Sequence, residues 1–219
     1  MDKMQSIIAS LFQGFGLNCA LFAITLIAAI PLGLVITFGT MSKFRPLKWV
    51  MKTFVWIIRG TPLMLQIIIF ALGPGLWFDI PVREVWMQIM LVCIAFTINY
   101  ACYFSEIYRA GIESIPKGQY EACQVLGMSK KDTFFKVIFM QVVKRVVPPM
   151  SNEIITLVKD TALASVVISV DLFTEAQQIV NKEVILWPLF YAGIFYLAFS
   201  GILTLLFGFI EKKLDYYKV

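Results

Sequence analysis

Four stretches of this chain contain no charged residue, and each is long enough to constrain the fold. They are Asn18–Met41, Gly60–Phe78, Val85–Ser105 and Val184–Ile210. An α-helix needs about 20 mostly apolar residues to cross the roughly 30 Å hydrocarbon core of a bilayer. The chain is 59% hydrophobic and 15% charged, with a mean hydropathy of +0.80, which is typical of an all-α integral membrane protein. Each stretch therefore predicts one transmembrane helix.

The basic residues alternate along the chain in a way that requires a fifth span. Residues 43–59 carry five cations and no acid, and residues 109–136 and the C-terminal tail, including Lys218, are basic again. The loops at 79–84, where Arg83 is the cation, and at 171–183 are poorer in basic residues. Because cytoplasmic loops are enriched in Lys and Arg, a helix must also cross between Val137 and Val170. The prediction is five transmembrane helices, with an uncleaved N-terminus outside and the C-terminus in the cytoplasm.

The fifth span is unusual because it carries ionisable side chains. Glu153 and Asp160 are seven residues apart, which places them nearly on one face of a helix. Charges in a membrane span are costly unless they face a partner or a wet cavity. Two interpretations follow: the acids pair with basic residues of the same segment, or they line a translocation cavity. Pro148-Pro149 is expected to interrupt the helix just before them. The basic residues in question are Lys144, Arg145 and Lys159.

A second polar stripe lies on the run that ends at Ser105. Asn99, Tyr103 and Glu106 follow helical spacing and share one face. Asn99 is expected either to form an interhelical hydrogen bond, as polar residues in bundles do, or to line the cavity. Gln66 is a weaker candidate of the same kind, and Thr61-Pro62 is expected to begin a helix.

The polar segment Tyr108–Val146 interrupts this apolar chain and has ordered local signals. Pro116 favours the first turn of a helix, and Gly127 permits a left-handed stop. Ser129 can cap a following helix. The segment therefore predicts a short helix at about residues 115–128, a glycine turn, and a helix that enters the bilayer.

Several classes of function are excluded or disfavoured by the composition. The chain has no histidine, so imidazole metal sites and histidine bases are excluded and no metal site is expected. Its net charge of +5 is interpreted as a basic cytoplasmic surface and not as a nucleic-acid site. The four dispersed cysteines are expected to be buried thiols. No GxxxxGK[ST] phosphate loop occurs, so the chain is not expected to bind ATP or to be an enzyme.

The polar segment resembles the EAA motif of ABC-transporter permease subunits, whose form is EAA, three residues, Gly, nine residues and I-x-L-P. Here Glu121-Ala122-Cys123 takes the first part, Gly127 has the expected spacing, and residues 137–140 take the last part. Further segments are similar to the polar amino acid uptake branch of that family. They are RGTP at Arg59–Pro62, INYACY at Ile98–Tyr103, IESIPKGQ at Ile112–Gln119 and NEIITLVKDTALAS at Asn152–Ser165.

The resemblance implies a single permease domain over residues 1–219, of the type I ABC importer kind, in the bacterial plasma membrane. It implies as partners two ATP-binding cassette subunits, a second identical or different permease chain, and an extracytoplasmic solute-binding protein. ATP and Mg would be bound by the ATPase subunits, with no cofactor on this chain. Glu121, Ala122 and Gly127 are predicted to couple to the ATPase.

The predicted substrate residues are Asn99, Glu153 and Asp160, and the substrate would be a polar amino acid held in part by a carboxylate. The alternative hypothesis is an ion-coupled carrier or channel that uses Glu153 and Asp160 without an ATPase. A membrane-embedded enzyme is disfavoured, because the spans contain no paired nucleophile and base.

Overall fold

The computed structural model describes residues 2–80, 82 and 84–215, and this part of the chain is helical throughout apart from short connections. Arg83 and Lys218, which the loop charges assign to opposite sides of the membrane, lie outside the described residues. The nine α-helices among the described residues are α1 (Asp2–Thr40), α2 (Arg45–Gly60), α3 (Leu63–Phe78), α4 (Val85–Glu113), α5 (Lys117–Val125), α6 (Lys130–Asp132), α7 (Phe139–Asp160), α8 (Leu172–Glu183) and α9 (Trp187–Leu214).

The two long helices α1 and α4 pack against each other along much of their length and form the centre of the bundle. Gly33 allows this close packing, because a Cβ at that position would come within 2.9 Å of the Phe104 Cβ. The buried side chains around this seam include Phe96, Tyr100 and Phe104 of α4. α3 and α7 pack on α4, so α4 is the element against which the predicted site residues are arranged.

The segment around the two prolines differs from the prediction. Pro148 and Pro149 both lie inside α7, which continues unbroken from Phe139 to Asp160. The irregular backbone lies at its two ends instead: a π-helix at Thr133–Ile138 leads into it, and a 3-10 helix at Thr161–Val166 follows it. A proline removes a donor and crowds one carbonyl, but packing of α7 against α4 and α9 supports the helix across that site.

Three of the described helices are long and apolar enough to cross a membrane: Met4–Thr40, Val85–Glu113 and Trp187–Leu214. A fourth span results if α2 and α3 are counted as one broken span. By this criterion the helix count is three to four, fewer than the predicted five. α7 is long enough to span but is too charged to qualify on composition.

The helix in the predicted span Gly60–Phe78 is α3, which is shorter than expected. It is preceded by the helix α2, where a basic loop is predicted. α3 has 16 residues, or about 24 Å at 1.5 Å per residue. Pro62 lies at its N-cap, as predicted. α2 meets α3 at an angle of 104°, so the two helices form a sharp corner at Thr61.

α8 and α9 complete the bundle against the first half of α1. α8 is the short helix predicted for residues 171–182, and Leu172 and Ala176 are fully buried in a small cluster with Leu11 and Ala192. α9 instead exposes large apolar side chains along its length, including Leu197 and Leu205. A helix that is apolar on its outer face fits a lipid environment.

Candidate functional site

A polar cavity of about 490 Å³ opens where the end of α2, the start of α3, the middle of α4 and the C-terminal half of α7 meet. Asn99, Glu153 and Asp160, the three residues predicted to bind substrate, all line it. The structure therefore brings Asn99 of α4 together with Glu153 and Asp160 of α7, although Asn99 lies more than fifty residues before them in the sequence. The other side chains that complete its polar wall are Arg59, Thr61, Tyr100, Tyr103 and Thr156.

The two carboxylates of α7 have different surroundings. The Tyr100 hydroxyl donates a hydrogen bond of 2.7 Å to Asp160 Oδ2, whereas Glu153 has no hydrogen bond or ion pair within the described part of the chain. Of the basic residues of the same segment, Lys144 lies 3.7 Å from Asp215 and Arg145 donates to the Ser114 carbonyl. Lys159 attracts the adjacent Asp160 electrostatically, but the two form no ion pair within 4 Å in the described part of the chain. Negative charge is thus left available at the cavity wall.

Asn99 combines the two roles that were proposed for it. It is almost fully buried, and its amide nitrogen donates a 3.1 Å hydrogen bond to Gln66 Oε1 across the α3–α4 contact. Gln66 Nε2 in turn donates to Thr61 Oγ1 at 2.8 Å and to the Ile58 carbonyl at 2.7 Å. This chain of bonds fixes the corner between α2 and α3, so the cavity wall is rigid on that side.

Arg59 is the basic side chain of the cavity, and it also lines a second cavity of about 480 Å³ with Glu106, Arg109 and Arg145. Its guanidinium carbon lies 4.9 Å from the centre of the Tyr103 ring, and a terminal nitrogen is 3.7 Å from Glu106. Glu106 is held more tightly by Arg109, at 2.6 Å. Arg59 therefore stands between the two cavities with a weakly engaged charge.

The predicted short helix of the polar segment is present as α5, which lies within the predicted range of residues 115–128. Gly127 has a φ of +70°, and the Ser129 hydroxyl caps the next helix by accepting from the Asp132 amide at 3.1 Å, both as predicted. A hydrogen bond from Lys136 to the carboxylate lowers the pKa of Asp132, as does one from Ser129. Glu121 and Ala122 are exposed on α5.

α5 is attached to the bundle by few contacts and leaves an apolar end uncovered. Ile115, just before α5, and Cys123, on the inner face of α5, are buried. Val125 and Leu126, at the end of the helix, are 88% and 77% exposed. An exposed apolar pair at the end of a polar helix is a feature of protein-binding surfaces. The four exposed residues Glu121, Ala122, Val125 and Leu126 are called the α5 surface below.

Two polar contacts connect the α5 region to α7. Gln119 and Gln141 exchange reciprocal side-chain hydrogen bonds of 2.9 and 2.6 Å. The second contact is the bond from the Arg145 guanidinium to the Ser114 carbonyl. Because α7 also carries Glu153 and Asp160, a displacement of α5 has a direct mechanical path to the polar cavity.

Sequence reasoning missed Arg59 and Tyr100 as cavity residues. Arg59 belongs to the RGTP segment and Tyr100 to the INYACY segment, but neither residue is among the predicted substrate residues. The charges of residues 43–59 predict a basic loop that includes Arg59. The helical spacing of Val50, Phe54 and Ile57 is the signal that indicates α2 instead. Tyr100 lies beside the stripe of Asn99, and only the packing of α4 on α7 directs its hydroxyl to Asp160.

A bundle of apolar helices around a polar cavity, with a helix held at its surface, is the architecture of a membrane transport component. The chain belongs to the family of binding-protein-dependent transport system inner membrane components, whose model matches residues 6–216. It is accordingly a multi-pass membrane protein and a transport component, not an enzyme.

The relatives of the chain are permease subunits. It is 41% identical over 189 residues to the L-cystine transport system permease protein TcyB of Bacillus subtilis, covering 85% of this chain and 78% of that protein. It is 32% identical over 205 residues to the arginine transport system permease protein ArtQ of the same organism, covering 93% and 92%. It is 30% identical over 214 residues to the arginine ABC transporter permease protein ArtM of Haemophilus influenzae, covering 95% and 94%.

The fold is similar to solved transporter structures. The crystal structure of an amino acid ABC transporter with histidines matches with a TM-score of 0.86 and 27% identity, over 96% of this chain and 97% of that one. The inward-facing MetNI methionine ABC transporter matches with a TM-score of 0.71 at 13% identity, which is a likeness of fold alone. The chain thus has the permease fold of these transporters, and the resemblance noted in the EAA segment is confirmed.

Proposed function

We propose that this chain forms the translocation path of an ATP-driven importer for a polar amino acid, with the polar cavity as its substrate site. The observation that carries the proposal is the convergence of Asn99, Glu153 and Asp160 on one cavity whose helix α7 is bonded to α5. Relatives named for cystine and arginine transport support an amino acid as the substrate.

The composition of the cavity suits a zwitterion. Glu153 and Asp160 supply negative charge for a substrate ammonium, and Arg59 supplies positive charge for a carboxylate. Opposite charges attract more strongly where water is scarce, and amide and hydroxyl groups on the wall can orient the ligand. A carboxylate excess of one in the cavity favours a neutral or cationic amino acid over an acidic one.

The proposed topology keeps five spans, with the N-terminus outside and the C-terminus in the cytoplasm. α7 provides the fifth, because four of its five charged side chains, all but the exposed Lys159, face the cavity or neighbouring elements. The corner of α2 and α3 lies on the cytoplasmic side together with α5. Two permease chains, identical or different, would enclose the path.

ATP-driven closure of two ATP-binding cassette subunits is proposed to act on the α5 surface, with ATP and Mg bound on those subunits. A short helix docked in a groove of a partner moves as a rigid element. The Gln119–Gln141 pair and the bond from Arg145 would pass this movement to α7. A solute-binding protein would deliver the substrate from the other side of the membrane.

Purification of the tagged chain from its native membrane tests the partner assignment. An ATP-binding subunit should accompany it, and uptake into proteoliposomes should require both ATP and the binding protein. Transport by the purified chain alone, driven by an ion gradient, would instead establish the ion-coupled carrier.

Variants of the polar segment test the coupling role. Gly127→Pro is incompatible with a φ of +70° because proline holds φ near about −65°, and Glu121→Lys reverses a charge on the α5 surface. Both should lower uptake at least about tenfold, the effect of losing roughly 1.4 kcal/mol of coupling, while ATP hydrolysis persists or the ATPase dissociates. Glu175→Lys on α8 is the matched charge reversal and should leave uptake unchanged. Normal uptake and co-purification with Glu121→Lys would count against this role.

A further inference from the structure

α2 is the most amphipathic of the long helices, and its outward surface is divided into sectors. At 100° per residue, one side of the helix carries the basic sector, which consists of Arg45, Lys48 and Lys52. The apolar sector, which consists of Val50, Phe54 and Ile57, lies roughly opposite, about 180° away. All six are exposed. Sixteen residues with four cations are too few and too charged to cross a bilayer alone.

The two remaining sides of α2 are occupied differently. Val55 is buried against the bundle on one side. On the other side, Trp49 and Trp56 are seven residues apart and 71% and 74% exposed. The tryptophans thus stand at the edge of the basic sector, about 20–40° from Arg45 on the side that leads to the apolar sector. Tryptophan is enriched at this position between headgroups and acyl chains in membrane proteins.

The basic sector forms no ion pair within the part of the chain that the structure describes, and its one acidic neighbour is Glu106, which attracts Lys52. Among residues 2–80, 82 and 84–215, no ion pair within 4 Å involves Lys43, Arg45, Lys48 or Lys52, in contrast to Arg59, which lies 3.7 Å from Glu106. Residues 41–60 contain no Asp or Glu at all. Lys43, Arg45 and Lys48 are left without a counter-charge among the described residues, and adjacent uncompensated cations fit an anionic partner.

The orientation of α2 completes the argument. α2 turns by 104° relative to α3, so if α3 follows the membrane normal, α2 lies within 14° of the membrane plane (104 − 90). In that position the apolar sector enters the acyl region, the tryptophans lie at its boundary, and the cations reach the headgroups.

We propose that α2 is an interfacial helix that binds the headgroups of anionic phospholipids through Arg45, Lys48 and Lys52, with Lys43 beside them. The ligand is the lipid phosphate diester with its net negative charge, and the α2 face is in contact with lipid in the assembled bilayer. This inference is independent of the substrate and of the coupling role of α5.

The experiment measures quenching of Trp49 and Trp56 by brominated lipid. The full chain with Trp77→Phe, Trp86→Phe and Trp187→Phe is placed in nanodiscs that contain the same fraction of phosphatidylglycerol in phosphatidylcholine. In one preparation the phosphatidylglycerol is brominated, and in the other an equal amount of phosphatidylcholine is brominated. Brominated phosphatidylglycerol should quench at least about twofold more, since each cation near the surface attracts anionic lipid.

Two triple variants distinguish local binding from net charge. R45Q/K48Q/K52Q should abolish the preference while phosphatidylcholine still quenches, which also shows that the helix remains in lipid. K117Q/K130Q/K131Q removes three exposed cations elsewhere and should keep the preference. Equal quenching by both lipids in the parent, or a preference that survives in R45Q/K48Q/K52Q, would overturn the proposal. Absence of quenching by either lipid would also overturn it, because a second chain or another protein would then cover α2.

Discussion

Two polar clusters lie on either side of the point where α7 becomes a 3-10 helix, and they are built differently. The polar cavity ends at Asp160, and the next residue, Thr161, belongs to a buried cluster around Asn18. In this Asn18 cluster, the Asn18 amide nitrogen donates to Thr161 Oγ1 at 3.2 Å and to the Tyr196 hydroxyl at 3.1 Å. The Leu172 amide donates to Asn18 Oδ1 at 3.0 Å.

The two clusters differ in how fully their polar groups are hydrogen-bonded. Asn18 and Thr161 are 3% and 1% exposed, and Thr161 also donates to the Val158 carbonyl at 2.7 Å. In the cavity, Glu153 accepts no hydrogen bond from the described residues and is only attracted by Arg59 at longer range, and Asp160 accepts a hydrogen bond from Tyr100 alone among them. A satisfied buried network holds helices in one arrangement, whereas unpaired polar groups facing a cavity are suited to a ligand. The comparison therefore supports a stabilising role for the Asn18 cluster and the proposed binding role for the cavity.

Asn18→Ala should have the largest effect on stability. The substitution removes three hydrogen bonds and leaves the Leu172 amide buried without a partner, at a cost of about 2–4 kcal/mol. The melting temperature of the purified chain in detergent should fall by about 5–10 °C. Asn152→Ala, at an exposed position of α7, is the control and should melt within about 1 °C of the parent. A normal melting temperature with lost uptake would reverse the assignment of the two clusters.

Glu153→Gln and Asp160→Asn should have the next largest effect, and on transport instead of stability. Loss of a charged hydrogen-bond partner for a substrate ammonium costs about 1.5–3 kcal/mol, so uptake at low substrate concentration should fall by about 10–100-fold. Melting temperature and assembly with the ATPase should be retained. Lys159→Gln removes an exposed neighbouring charge and should transport normally. Full uptake in both carboxylate variants would refute the cavity assignment.

Asp171→Ala tests the edge of the Asn18 cluster with a smaller change. Asp171 is 1% exposed and caps α8 by accepting from the Phe173 and Thr174 amides at 3.1 and 3.3 Å. Burial raises the pKa of this carboxyl, although its hydrogen bonds oppose the shift. Loss of the cap should cost about 1 kcal/mol, measured as a modest fall in melting temperature. Asp171→Asn keeps a capping oxygen and should retain most of the melting temperature that Asp171→Ala loses. Equal destabilisation by Asp171→Asn would show that loss of the cap is not the cause.

Tyr100→Phe should have the smallest effect. It removes only the hydroxyl that orients Asp160, an interaction worth about 0.5–1.5 kcal/mol, and should raise the substrate concentration for half-maximal uptake a few-fold. Tyr191→Phe removes a hydroxyl of α9 outside the cavity lining and is the control that should leave that concentration unchanged. If Tyr103→Phe raised the substrate concentration for half-maximal uptake more than Tyr100→Phe does, the substrate contact would lie away from Asp160.

Patterns in the sequence are enough to predict the class of the protein and much of the local structure. Charge-free runs predict membrane helices because hydrocarbon excludes charge, and Pro116, Gly127 and Ser129 predict the α5 turn because each has a fixed backbone preference. Helical spacing also predicted that Glu153 and Asp160 share a face. These are short-range properties, so one segment is enough to reveal them.

Which of those faces meet depends on long-range packing and cannot be predicted from any one segment. The bond from Tyr100 to Asp160, the corner held by Gln66, and the Asn18 cluster join residues up to 178 positions apart, and no local pattern encodes such pairs. The unbroken helix through Pro148 and Pro149 has the same origin, because neighbouring helices outweigh a local preference. A single segment specifies what its own backbone favours, but contact between segments depends on how closely the helices pack, which small residues such as Gly33 permit.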